Sequence, residues 1–478
     1  MATAPEATRP PQFLVEAPAG RPAERAYALA VLFEDWLGVP YTVSVDPSLN
    51  ETRVRLAGPT RGPVIVLPDV LLGPATAWLS AASLPGAALA SIEVPAWTGF
   101  DGPLPLLFAG PPAGDGLVQV DGDRFEFRLD LLGSLFFLLS RYEEAVDGAP
   151  RDERDRSPAA ASALGRTGWL EWPVLDMYLT AFRGLIERAW PGLALHAGGP
   201  GRAVLSHDVD HPSSRAHWRG SHALRVVAGD AIHRRDLGLA ARRAVSLLPT
   251  PGGVGPLDPY TVFDFLMTTS EARGVRSTFF FLTRETEVPD GSRYRIDDPW
   301  ARRLIAEIGR RGHRIGLHGS YHSFDDLDRL RAEWALLEAA CADLPAGVLR
   351  RAIRQHFLRF RAGETWRAQV EAGLEEDESL GFADAIGYRA RTARSFPGYD
   401  ISRGAPLANR IRPLHVMDVT LLQRMSTTIP DRLATVADMA RRTRRFGGEL
   451  SLLWHNSSLE TRAMKETYLD LVGDLFGN

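Results

Sequence analysis

Cysteine is almost missing from this sequence. Cys341 is the only one in 478 residues, so no internal disulfide can form and no cluster of cysteines can hold a metal. Lysine is equally scarce: Lys465 stands alone, and the rest of the 55 basic residues are arginine. The acids number 59, and the net charge of −4 gives no overall nucleic-acid footprint. No apolar run approaches the roughly 20 residues of a membrane span. The first residues, MATAPEATRPPQF, lack the basic start and apolar core of a secretory leader. These absences lead to the expectation of a cytoplasmic chain with no transmembrane segment and no nucleic-acid partner. No glycine-rich phosphate loop follows an apolar run. What is present is a globular balance, 45% hydrophobic and 24% charged, over a length that fits roughly two or three domains of about 150 residues.

The chain divides by pattern. Residues 1–199 read as a smaller α/β domain. A helix is expected over Glu24–Leu37, where Leu29, Leu32, Phe33 and Trp36 recur at helical spacing. Pro63–Leu67 reads as a strand, and Leu117–Val120 and Arg124–Leu129 as a hairpin about Asp121-Gly122. Asp130 caps an apolar helix, and Val174–Trp190 is another. The polar stretch 145–169 reads as a mobile loop. No cluster of histidines or paired acids occurs in this half, which is expected to fold separately. The boundary falls in HAGGPGR, ending at Arg202.

From residue 200 to 478 apolar strands alternate with amphipathic helices. Strands are expected at Ala203–Ser206, Ser277–Leu282, His313–Leu317, Leu349–Arg354, Phe382–Tyr388, Arg412–Val419 and Glu449–Trp454. Helices are expected at Tyr260–Arg273, Pro299–Arg311, Asp325–Leu344 and Asp431–Arg445. Repeated strand–helix units imply a parallel sheet, open or closed into a barrel. The Arg-rich insertion 214–256 is too long for a strand-to-helix connection and reads as a helical flap.

The chemistry gathers at strand ends. The stretch AVLSHDVDH (203–211) puts four ionisable residues directly after an apolar strand, which is costly unless they pair or bind metal. Asp208 and Asp210 are two apart and share one face of an extended backbone, so they can divide into metal ligand and base. His318 and His322 are four apart, a spacing that grips one ion if the turn is helical. Together these residues supply His, His and Asp, with a coordination position left for water. Arg354 follows Ala352-Ile353 and would keep Asp208 ionised and oriented. His455 follows Leu452-Leu453-Trp454 and is placed as a general acid. In parallel sheets and barrels, strand C-terminal ends are where active sites form.

The order SHDVD, HGSYH, an arginine after a strand, then LLWHN resembles the polysaccharide deacetylases with the NodB-type domain (carbohydrate esterase family 4), over about residues 200–478. That resemblance implies a distorted (β/α) barrel of about seven strands and a divalent metal, most commonly Zn2+. It implies Asp208 as catalytic base, Asp210, His318 and His322 as metal ligands, Arg354 as the arginine orienting the base, and His455 as general acid. Three departures stand out: Val209 separates the two aspartates, RQHFLRF lacks the family's usual proline, and Asn456 stands where an aspartate often follows the acid histidine.

The expected activity is removal of an N-acetyl group from an acetylated sugar or glycan precursor, carried on a phosphate or lipid. The insertion leaves room for peripheral membrane contact. One rival keeps the site but hydrolyses a cyclic or other small amide. Another is a non-catalytic glycan-binding module with a decayed site, against which the retained Asp, His, His, Arg and His set counts.

Overall fold

The structure is a computed structural model that describes residues 12–477, apart from 59–60, 75, 111–115, 194, 196–198, 219, 249–253, 287–290 and 426. The first half carries strands β1 (Phe13–Ala17), β2 (Tyr41–Val45), β3 (Glu51–Leu56), β4 (Val64–Pro68), β5 (Ser91–Glu93), β6 (Pro103–Pro105), β7 (Val118–Asp121) and β8 (Arg124–Phe127). Six of these form one sheet in the order β2-β1-β3-β4-β8-β7, and β5 pairs with β6. The hairpin β7–β8 turns through Gly122 at φ 55°, a conformation that glycine adopts without strain.

The expected first helix is α-helical over Pro22–Leu29 and continues as a π-helix over Ala30–Trp36. Asp130 caps the helix Leu131–Leu139 by accepting from the Gly133 N–H at 2.8 Å, and its other oxygen accepts from Val70 and Leu71 N–H. The stretch expected to be a mobile loop is instead tied down. Asp152 accepts from the Arg154 and Arg156 N–H groups, Asp384 accepts from the Ala159 N–H, and Arg391 donates to Ser162 Oγ.

The second half carries β9 (Arg202–Val209), β10 (Thr278–Phe281), β11 (Arg314–Gly319), β12 (Leu349–Gln355), β13 (Glu376–Asp377), β14 (Phe396–Asp400), β15 (Ala405–Ile411), β16 (Val416–Met417) and β17 (Glu449–Leu453). They form a nine-stranded sheet in the order β14-β15-β13-β12-β11-β10-β9-β17-β16. Every neighbouring pair is parallel except β14–β15. Last strand β17 lies beside first strand β9, pairing Leu452 with Leu205. Helices Phe263–Glu271, Pro299–Arg310, Leu327–Ala340 and Ile429–Phe446 lie close to expectation.

Two strand expectations fail. Residues 382–388 form no strand, and only Val416–Met417 of 412–419 is extended in the sheet. The backbone of this region finds partners outside a ladder: the Tyr388 N–H donates to Leu170 O, and the Leu175 N–H to Arg391 O. Tertiary partners have replaced sheet partners, which satisfies the same buried groups.

The two sheets are separate; the second half has an apolar cluster of its own around Leu205, Phe279, Leu317, Ile353 and Leu452, and a further cluster spans both halves. The shared cluster joins Phe13, Phe33, Phe136 and Phe182 of the first half to Phe360, Trp366, Phe396, Tyr399 and Phe446 of the second. Polar contacts cross as well. Glu144 is clamped by Arg141 and Arg389, and Asp176 accepts from Thr392, the Ala393 N–H and Arg394. The first half was expected to fold separately; in the structure it shares an apolar cluster with β14, β15, Phe360, Trp366 and Phe446 of the second half. Among the described residues, no helix is long and apolar enough to cross a membrane.

Candidate metal centre

The chemically active side chains hang from strand ends on one side of the second sheet. Asp208 lies in β9 and Asp210 just past it, His318 in β11, Arg354 in β12, and His356 just past β12. His455 lies two residues beyond β17, Glu378 follows β13, and Asp418 follows β16. Alternation along β9 does the sorting. His207 turns away into the core, where it packs 4.9 Å from the Phe279 ring and donates from Nδ1 to the Trp454 carbonyl at 2.9 Å. Burial pushes its pKa down to about 4, as for a neutral core imidazole.

Asp210, His318 and His356 each offer a ligand atom, all within 4.8 Å of one another. Asp210 Oδ1 is 3.1 Å from His318 Nε2, and Asp210 Oδ2 is 3.3 Å from His356 Nε2. Ligand atoms at about 2.0 Å from a tetrahedral ion are separated by about 3.3 Å, so the spacing suits one. His318 donates from Nδ1 to the Arg354 carbonyl at 2.7 Å, which leaves a lone pair on Nε2. Asp210 Oδ1 and His318 Nε2 are both buried without a hydrogen-bond partner. A carboxylate oxygen and an imidazole nitrogen facing each other across 3.1 Å can share a proton or a cation. Two imidazoles and one carboxylate are a donor set that suits zinc and other borderline divalent ions.

His322 is not in this group. It is exposed and meets the Tyr321 ring edge-on at 5.0 Å. The reason lies in the backbone. Residues 318 and 319 are still strand, and the chain then turns instead of starting a helix, so a spacing of four no longer means a shared face. The turn is fixed by Ser320, whose N–H donates to Glu333 at 3.1 Å, and by Ser323 Oγ on Gln355 at 3.0 Å. A Cβ at Gly319 would sit 2.5 Å from Gln355 Oε1 and 2.8 Å from Ser323 Oγ, so a side chain there would displace the pair that fixes the turn.

His356 takes the third position. It stands on a tight turn in which Phe357 and Leu358 have φ of 60° and 57°, a left-handed conformation that is rare for such residues and is found at functional sites. The same strand-end rule that selects His318 and His455 could have selected His356 from sequence.

Beside the triad, Asp208 accepts from Arg354 Nη1 at 2.8 Å. Arg354 is fully buried, and Glu378 holds its other end: Nη2 donates to Oε2 at 3.1 Å and Nε to the Glu378 carbonyl. Asp208 Oδ2 stays free of the arginine, 3.6 Å from His318 Nε2 and 4.0 Å from His455 Nε2. His455 donates from Nδ1 to Asp418 at 2.7 Å, and Asp418 also accepts the His455 N–H at 2.9 Å. Its Nε2 is 3.5 Å from Asp210. Burial opposes the charged ring, but Asp418, Asp210 and Asp208 outweigh it and push the pKa up to about 10. Burial likewise opposes charge on Asp210, yet His356, His455 and His318 hold it well below the usual carboxylate range. Asp418 was not singled out by sequence; its signal was an acid directly after the apolar pair Val416-Met417.

A wall of rings flanks the group. His211 stacks on His217 at 3.9 Å, and His217 on Trp218 at 3.7 Å. Asn456 donates to the His211 and Tyr260 carbonyls and so braces the segment after Asp210.

The profile of a family of unknown function (DUF7033) matches residues 13–191, which excludes every residue of this centre. No curated protein matches the chain. Among solved structures the chain is similar to one described as "putative polysaccharide deacetylase from Mycobacterium smegmatis", at 14% identity and a TM-score of 0.37, covering 60% of this chain and 86% of that one.

Proposed function

We propose that this chain is a metal-dependent hydrolase of the polysaccharide-deacetylase kind, which removes an N-acetyl group from an acetylated sugar or glycan precursor. The observation that carries the reading is the triad Asp210, His318 and His356, with a carboxylate locked by arginine on one side and an Asp-bound histidine on the other. The motif order SHDVD, HGSYH and LLWHN supports the same class. The sheet is compatible with that family's distorted barrel, since its first and last strands are neighbours and chain order is kept from β9 to β13, after which β15 precedes β14 and the edges at β14 and β16 stay open.

A divalent cation, zinc by the donor set, would polarise the amide carbonyl and acidify an attacking water. The residues do the rest. Arg354 keeps Asp208 charged and aimed, and Asp208 Oδ2 takes the proton of the attacking water. His455, cationic and held by Asp418, gives the Nε2 proton to the departing amine, so that acetate and a free amino sugar result. His356 replaces His322 in the proposed ligand set.

The test is metal content of the purified protein by mass spectrometry, with acetate release from N-acetylglucosamine oligomers and from nucleotide-linked N-acetyl sugars. One equivalent of zinc and chelator-sensitive acetate release are expected. Bound zinc without acetate release from either class, but with turnover of cyclic amides, would move the site to that rival reaction.

A further inference from the structure

The insertion after β9 folds as two helices, Gly220–Ile232 and Leu237–Ser246, and their outer faces are apolar. Leu224 is 67% exposed, Ile232 69%, Leu237 73% and Leu248 62%. Leu224, Ala228 and Ile232 are four apart, and so are Leu237, Ala241 and Val245, with Leu248 continuing the second row. All of these side chains are exposed. A water-facing helix carries polar residues at these positions.

The exposure is not that of a detached hairpin. Its inner face is packed: Ala223, Asp230, Leu239, Ala240 and Arg243 are buried. Arg243 bonds both Asp230 and Glu460 at 2.6 Å, and Ser246 bonds Ser214. The charge on the outer side is mostly positive, with Asp236 the partly exposed acid among the described residues. Arg225 and Arg235 are exposed and Arg242 is half-buried. Both acids of the segment are committed, Asp230 to Arg243 and Asp236 to the Leu239 N–H at 2.8 Å.

We propose that this hairpin docks on an anionic lipid surface, with Leu224, Ile232, Leu237 and Leu248 entering the interface and Arg225, Arg235 and Arg242 meeting lipid phosphates. Apolar rows edged by arginine are the pattern of interfacial helices, whose binding grows with buried apolar area and with anionic lipid. The hairpin begins two residues after Trp218, whose ring continues the stack from His217 and His211, so docking would bring the metal centre beside the headgroup layer. The inference needs no particular reaction at that centre.

The experiment is sedimentation of the full chain with vesicles of phosphatidylcholine alone and of phosphatidylcholine mixed with phosphatidylglycerol. Binding to the mixed vesicles only, weakened by high salt, is expected. L224D/I232D/L237D/L248D and, separately, R225E/R235E should each reduce binding at least about tenfold while circular dichroism and metal content stay unchanged. Equal binding to neutral vesicles, no binding to either, or variants that bind like the parent would overturn the proposal. A lipid-free dimer that the leucine variant converts to monomer would overturn it in favour of self-association.

Discussion

Arg156 donates from Nη1 to the carbonyl of Phe357 at 3.0 Å, so a side chain of the first half holds the turn that carries His356. Asp152 fixes Arg156 from behind at 2.8 Å, and the Arg154 guanidinium lies 4.6 Å over the Phe357 ring. Groups that orient a ligand typically change metal affinity about 10–100-fold when removed. Arg156→Ala should therefore weaken zinc binding by about that factor, measured by chelator competition, with circular dichroism unchanged. Undiminished affinity would mean that the turn holds its left-handed conformation unaided.

The two histidine candidates separate cleanly. His356→Ala removes a ligand atom 3.3 Å from Asp210 and should strip the metal. His322→Ala alters an exposed ring and should leave metal content at one equivalent. The reverse outcome would return His322 to the ligand set.

The aspartates have different expected phenotypes. Asp208→Asn keeps shape and loses basicity, so zinc content should stay near parent while kcat falls by roughly 10²–10⁴-fold, the usual worth of a general base. Asp210→Ala removes a ligand, and excess zinc should restore part of the activity. Zinc analysis beside steady-state kinetics on the two proteins decides the assignment; if Asp208→Asn is the metal-free one, base and ligand are exchanged.

Acid should loosen the contact between the halves. Burial alone would raise the Glu144 pKa, but Arg389 and Arg141 overrule it and hold the carboxyl well below the ordinary 4.5. A depressed folded-state pKa contributes stability that is present above about pH 4.5 and lost as pH falls toward the folded value. The urea midpoint should drop between neutral pH and about pH 3. Glu144→Gln should flatten that drop and cost about 3–5 kcal/mol at neutral pH, because it leaves the buried Arg389 without its carboxylate and Arg141 with Glu143 alone. An acid limb as steep in Glu144→Gln as in the parent would assign the transition to other carboxylates.

A chain beginning at Gly199 would expose Phe360, Trp366, Phe396 and Tyr399, which pack against the first half. It should be insoluble or bind the dye ANS strongly, read by light scattering and fluorescence. A soluble, zinc-binding fragment would show that these residues find cover within the second half.

The sequence by itself determined what depends on neighbours along the chain. Short apolar stretches located β9, β10, β11, β12 and β17 within a few residues, because the buried part of each strand is apolar even where polar residues share the strand. Alternation separated Asp208 and Asp210 from His207, and position at strand ends brought Asp208, Asp210, His318, Arg354 and His455 together. Tertiary structure decided what depends on distant backbone. His322 left the site because Ser320 and Ser323 are pinned by Glu333 and Gln355 and the local turn is not helical. His356 entered on a left-handed turn that local preference disfavours, and Arg156, 201 residues from Phe357 in sequence, donates to that turn. Residues 382–388 read as a strand yet give up sheet bonds for partners around Leu170 and Arg391. Periodicity records which side chains are buried, but not which of two distant surfaces does the burying, and here the first half supplied it.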